Sequence, residues 1–307
     1  ANAVAIDPKD NAIVLAGFAD NSPAVGAFTQ EFAVARLNAS DGSLDQNFTG
    51  TLDGMAVRGQ TVLDFPLSGN TASGAGTVAN AVVVQSDGKI LLAGTTPVGN
   101  RGENDFALAR LNRDGTPDQT FLPDQGLPAG QRVIAFYPGQ QSSAHGVAVD
   151  SAGGIAVTGT ASLAGTTYLA VARLNPDGSP DTTFQQNNGL PAGQELVIFT
   201  VVPGKQGSRD FSGGAVALQP DGKIVAVGSV ATSDQDFAVV RLNGEVGVST
   251  VGVFDPSTAT FFLRSDVGPD GTLALTRQFG LPNWIPLSGD FFGTGATIGV
   301  VDPTTET

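Results

Sequence analysis

The run ANAVVVQSDGKILLAG at Ala79–Gly94, followed by DFALARLN at Asp105–Asn112, decides the fold. Two apolar stretches flank Ser86-Asp87-Gly88-Lys89, and Asp-Gly between such stretches is the signature of a tight β-hairpin. In the second run Phe106, Leu108 and Arg110 alternate with Ala107, Ala109 and Leu111. A period of two marks a strand, and no comparable stretch of the chain has helical spacing.

The pattern occurs four times. ANAVAI opens at Ala1, AHGVAV at Ala144 and GGAVAL at Gly213. AIVLAG from Ala12, GIAVTG from Gly154 and KIVAVG from Lys223 match KILLAG from Lys89. The third run ends at Asn38, Asn112, Asn175 and Asn243, and the matching Leu37, Leu111, Leu174 and Leu242 lie 74, 63 and 68 positions apart. Three repeats finish with a further strand, GQTVLDF from Gly59, GQRVIAF from Gly130 and GQELVIF from Gly193, whereas the fourth lacks it. A four-stranded unit with apolar residues on both faces must stack on its neighbours, and radial stacking also limits exposed edges. The expected fold is therefore an all-β propeller of about five to six four-stranded antiparallel blades. A β-solenoid is the alternative, disfavoured by the long period. Residues 244–307 follow a second pattern: VGVFDP from Val251 recurs loosely as IGVVDP from Ile298. The expected division is thus 1–243 and 244–307, with the second part continuing the same propeller.

QPDGKIVAVG from Gln219 and DFAVVRLN from Asp236, with NRDGTPDQTF from Asn112 and NPDGSPDTTF from Asn175, resemble the delta-sixty repeat of secreted bacterial proteins. The resemblance covers residues 1 to about 243 and implies a propeller in a surface-associated bacterial protein. The later strings VGVFDPSTATFFLR and PLSGDFFGTGATIGVVDP are similar to FG-GAP or VCBS-type propeller repeats, which often bind calcium through an acidic loop. Here that loop reads Asp290-Phe291-Phe292-Gly293-Thr294-Gly295, with two of the acidic positions lost, which argues against calcium there.

Composition narrows the function classes. The 307 residues carry 29 acidic and 15 basic side chains, a formal charge of −14 that repels phosphate backbones and disfavours nucleic acid as a partner. With no cysteine, thiolate catalysis and thiolate metal sites are excluded, and a secreted bacterial origin fits. No apolar run approaches the roughly 20 residues of a membrane span. The chain opens at Ala1 inside a strand-like run and stops at VDPTTET as a motif begins, which suggests a trimmed part of a longer polypeptide.

Few residues are candidates for chemistry. Arg36, Arg110, Arg173 and Arg241 recur at one position of the repeat. A channel-lining ring that binds anions is one reading. Pairing with Asp45, Asp118 and Asp181 of the following turn is the favoured one, leaving Arg241 as the odd member. The loops Asp41-Gly42 with Asp45, Asp114-Gly115 with Asp118, and Asp177-Gly178 with Asp181 offer carboxylates to calcium, as does Asp290. Hard cations need roughly six to eight oxygens, so turn formation is the simpler role. The single histidine, His145, stands where a neighbouring repeat has Asn80 and has no nucleophile elbow to serve. Trp284, Phe291 and Phe292 suggest either a sugar platform or core packing.

The expected function is a non-enzymatic, secreted or cell-surface scaffold with structural, adhesive or protein-interaction roles in an extracellular assembly. Its partners would be other proteins or copies of itself, possible glycans included, and no cofactor other than calcium comes into question. Alternatives are a glycan or small-ligand binding module, or a propeller hydrolase or lyase with a carboxylate site in the central funnel. Since the Asp-Gly loops read as turns, a chelator should leave the thermal melt unchanged; a drop of several degrees in differential scanning calorimetry would make calcium structural.

Overall fold

In a computed structural model the chain is described at residues 1–20, 30–52, 55–66, 76–98, 103–124, 126–184, 189–199, 210–231, 235–243, 250–255, 257–264, 273–278, 285–289 and 297–301. Every described element of regular structure is a strand, and every pairing is antiparallel. The first sheet joins β1 (Ala3–Ile6), β2 (Ile13–Asp20) and β3 (Gln30–Leu37) to β6 (Gln60–Leu63), with β4 (Thr49–Leu52) and β5 (Met55–Arg58) forming a separate hairpin. The second runs through β7 (Val78–Val84), β8 (Ile90–Val98), β9 (Glu103–Leu111) and β10 (Gln131–Ile134). The third runs through β11 (Ser142–Val149), β12 (Ile155–Leu163), β13 (Thr166–Leu174) and β14 (Gln194–Val197).

The fourth sheet begins alike with β15 (Phe211–Leu218), β16 (Ile224–Ala231) and β17 (Gln235–Leu242). The closing place, for which the sequence offers no GQ strand, is taken by β18 (Thr250–Asp255), and the sheet continues through β19 (Thr260–Arg264) and β20 (Leu273–Gln278). The boundary drawn at residue 243 therefore falls inside one hydrogen-bonded sheet. A two-stranded pair, β21 (Ile285–Gly289) and β22 (Thr297–Val301), follows. No helix among the described residues is long and apolar enough to cross a membrane.

The two central strands of each sheet are apolar on both faces, and the sheets are sandwiched in chain order. Val14, Ala16, Phe32 and Val34 pack with Ile90, Leu92, Ala107 and Leu111 of the second sheet. The other face of the second sheet, Leu91, Ala93, Phe106 and Leu108, packs with Ile155, Val157, Ala170 and Ala172 of the third. Ala156, Leu169 and Val171 then meet Ile224, Ala226, Val240 and Leu242 of the fourth. Fully buried residues such as Leu91, Leu92 and Leu108 each contribute about 1.5–3 kcal/mol. The alanines let the sheets approach closely. This successive face-to-face stacking is that of a β-propeller.

Two details explain the repeat's fixed glycines. The first strands of the second, third and fourth sheets each carry a β-bulge, at Asn80, His145 and Gly214, which pushes the backbone toward the second strand. Gly94, Gly159 and Gly228 lie opposite, where a Cβ would fall on Val78 O, Ser143 O and Ser212 O respectively. Asparagines at this place of the repeat tie neighbouring first strands together: Asn2 Nδ2 donates to Ala79 O at 3.0 Å and Asn80 Nδ2 to Ala144 O at 2.9 Å. Farther out, Gly115 and Gly178 adopt φ near +90° and lie against the rings of Phe48 and Phe121 in the preceding sheet. Beside them Thr49 N donates to Asp114 O at 2.6 Å and Leu122 N to Asp177 O at 2.7 Å.

Gly94→Ala or Gly159→Ala should therefore cost about 1–3 kcal/mol, because backbone rather than a flexible side chain must yield. Urea denaturation measures it, and native-like stability in both variants would contradict the bulge packing.

Candidate functional site at the blade joints

The third strand of each repeat carries its arginine near the C-terminal end, beside the turn that follows. Arg36 is buried and contacts Asp7 and Asp10 at 2.8 Å each and Asp45 as well. Arg110 Nε lies 2.6 Å from Asp118, with its guanidinium 4.6 Å above the Phe121 ring. Lys89 Nζ adds a contact to Asp118 at 3.1 Å. Arg173 is paired with Asp150 and, at 3.6 Å, with Asp181. Arg241, in β17, is exposed. The first three guanidiniums are thus engaged, Arg110 also donating through Nη1 to Pro176 O of the following repeat. Removing Asp118, the one carboxylate paired with Arg110 among the described residues, would leave a buried charge unpaired. Sequence reading named Asp45, Asp118 and Asp181; it missed Asp7, Asp10 and Asp150, which come from the hairpin between the first and second strands.

The Asp-Gly loops are occupied by their own hydrogen bonds. Asp41 Oδ1 accepts from Ser43 N and Oγ, Asp114 Oδ1 from Thr116, and Asp177 Oδ1 from Ser179. Asp45, Asp118 and Asp181 accept from the backbone N–H of Asn47, Thr120 and Thr183 through one oxygen and face the arginine with the other. Such a donor set does not fit calcium, whose oxygens must converge on one point. Among the described residues no group of three or more His, Asp or Glu is placed to hold a metal ion. Asp290, Trp284, Phe291 and Phe292 lie outside the described residues. His145 projects, exposed, from the β11 bulge.

Successive joints differ. Between the first and second sheets Arg113 crosses over, Nε lying 2.9 Å from Asp7 Oδ2 and the guanidinium also meeting Asp10. Burial alone would raise the Asp7 carboxyl, but hydrogen bonds from Arg113, the Lys9 backbone and Arg36 outweigh it and bring the pKa down to about 2. Asp118 is likewise held at about 2, burial being outweighed by Thr120, Lys89 and Arg110. Between the second and third sheets Gln85 stands in the place of Asp7 and Pro176 in that of Arg113. There a cleft of about 630 Å³ opens, lined by Gln85, Asp87, Lys89, Arg110, Asp150 and Pro176 among others.

At the other end of β9 sits Asp105, 7% exposed. Burial pushes its pKa up to about 6, against a hydrogen bond from Ser142 Oγ at 3.2 Å and with the help of the Glu103 charge. Perturbed carboxyls often mark acid–base sites. This one is enclosed between sheets, and the fourth repeat has a buried acid, Asp236, in the same place.

Four segments, residues 24–48, 85–121, 153–184 and 219–245, match the model of a family described as a domain of unknown function (DUF5122) β-propeller. The chain is a β-propeller repeat protein. No curated protein matches it. Among solved structures, it is similar to a protein of unknown function from Dyadobacter fermentans, at 12% identity and a TM-score of 0.42 over 92% of this chain and 84% of that one. A mutant levansucrase of B. megaterium matches at 9% identity and 0.38 over 91% and 86%. An ulvan lyase of a new polysaccharide lyase family matches at 11% and 0.39 over 99% and 76%.

The two carboxyls imply opposite pH dependences. Asp105 lies above the ordinary value of 3.8, so its ionisation penalises the fold: the penalty is absent below about pH 4, grows up to about pH 6 and is complete above it. Asp105→Asn should therefore stabilise by on the order of 2 kcal/mol at neutral pH and have little effect below about pH 4. Asp7 has the reverse sign, contributing stability above about pH 4 that is lost as pH falls through about 2. Chemical denaturation across pH checks both; a pH-independent effect of Asp105→Asn would contradict the assignment.

Proposed function

We propose that this propeller is a non-enzymatic scaffold of an extracellular or cell-surface assembly, associating with other proteins or with copies of itself through the ends of its blade array. The observation that carries the reading is the backward face of the first sheet. There Val4, Ile6, Ile13, Leu15, Ala35 and Leu37 repeat, position for position, the face formed in the second sheet by Val82, Val84, Ile90, Leu92, Ala109 and Leu111. In the second sheet that face is packed under the first, and Val84 is only 9% exposed. In the first sheet Val4 and Ile6 are 61% and 54% exposed. At the far end Phe237, which points away from the third sheet, is 37% exposed.

A blade face that is apolar at these positions, with Glu31 at one end of its third strand, has the composition of an association surface. Because the two end faces differ, copies would stack head to tail. Residues 1–243 are read as delta-sixty-type blades and 244–307 as an FG-GAP or VCBS-like continuation, which supports a secreted, bacterial setting, as do the acidic charge and the lack of cysteine. The carboxylates of the repeat are engaged in turns and ion pairs, and this supports a structural rather than a catalytic use of them.

Light scattering over a range of concentrations tests the proposal. The native chain should associate, and Val4→Asp with Ile6→Asp should raise the concentration needed at least about tenfold, since charges would be buried unpaired. A native chain that keeps the mass of one protomer throughout, indistinguishable from the variant, would contradict it.

A further inference from the structure

The geometry points to the cleft between the second and third sheets as a binding site for a guanidinium group on an aliphatic stem, that is, the side chain of an arginine presented by a partner polypeptide. The preceding joint holds the template. There Arg113 of the second sheet lays its stem against Gly88 and places its guanidinium on Asp7 and Asp10 of the first. One repeat later each partner has a counterpart. Gly153 lies against Pro176 as Gly88 lies against Arg113. Asp87, which accepts from Lys89 N two residues on, corresponds to Asp10, which accepts from Ala12 N. Gln85 corresponds to Asp7. What is missing is the arginine: Pro176 has no side chain long enough to cross, and the space of about 630 Å³ is left open.

The acceptors remain. Gln85 Oε1 is buried and has no hydrogen-bond partner among the described residues. The Asp87 carboxylate is half exposed on the cleft wall; Oδ1 accepts from Lys89 N at 3.0 Å, and Oδ2 has a distant ion pair with Lys89 Nζ, at 3.9 Å. Around the cleft Asp87, Asp118, Asp150 and Asp177 face Lys89, Arg110 and Arg173, leaving one negative charge in surplus before any guest enters. The basic groups already there do not forbid another, because Arg36 and Arg113 share Asp7 and Asp10 in the template joint. A planar guanidinium can bond Gln85 and Asp87 through separate edges while its stem lies on Val83, Val149 and Pro176, which a compact ammonium cannot do. The acidic surface of the whole chain favours the approach of a cation.

This site deepens the scaffold reading and rests on it for the partner being a protein; the first-sheet face tested by Val4→Asp and Ile6→Asp is a different surface, so either can fail alone. Isothermal titration of the full chain with a capped Gly-Arg-Gly peptide should show one saturable site. The capped Gly-Lys-Gly peptide should bind at least tenfold more weakly. Free arginine, whose own carboxylate would meet Asp87 and Asp177, should also bind less well than the capped peptide. Pro176→Arg, which supplies the missing side chain from within, should abolish peptide binding, and Gln85→Leu should weaken it about tenfold with an unchanged thermal melt. Lysine and arginine peptides binding alike, or undiminished binding in both Pro176→Arg and Gln85→Leu, would overturn the inference.

Discussion

A four-stranded sheet whose middle strands are apolar on both faces cannot stand in water, and most of this structure follows from that constraint. Leu91 and Leu92 are adjacent in β8, point to opposite sides and are both fully buried, because one meets the third sheet and the other the first. Cores of this kind lie between blades rather than within them. Each blade is therefore stabilised by its neighbours, in the quasi-one-dimensional manner of repeat proteins.

Close stacking sets what the sequence can vary. Glycine midway along the second strand is required by the approach of backbone to backbone, as at Gly94 beneath the Asn80 bulge. The rim is freer. There one joint is sealed by Arg113 across Asp7 and Asp10, and the next, with Gln85 and Pro176, is left open. Functional diversity in such an array is cheapest at these rims, where a substitution changes a cleft and leaves the stacked sheets alone.

The strands were legible because alternation, Asp-Gly turns and fourfold recurrence all agree, and agreement between levels is what makes a fold readable. The pairing of Arg110 with Asp118 was also accessible, the two being eight residues apart at one place in the repeat. Arg113 with Asp7 was not: they are 106 positions apart and belong to different repeats. The only signal was joint variation, Asp7 with Arg113 giving way to Gln85 with Pro176. The hairpin of β4 and β5 lies outside the fourfold pattern, and among the described residues no other repeat echoes it, so recurrence gives no signal for it. Closure of the fourth sheet by β18 escaped for a similar reason, since its sequence belongs to the second pattern.

Native-state hydrogen exchange tests the stacking most directly. Amides of β8, β9, β12 and β13, covered on both faces, should exchange slowest and together, through unfolding of the array, while those of β1 and of the β4–β5 hairpin exchange earlier by local opening. Equal protection in β1, the β4–β5 hairpin and β8, or independent opening of β8 and β12, would show that the sheets do not hold one another.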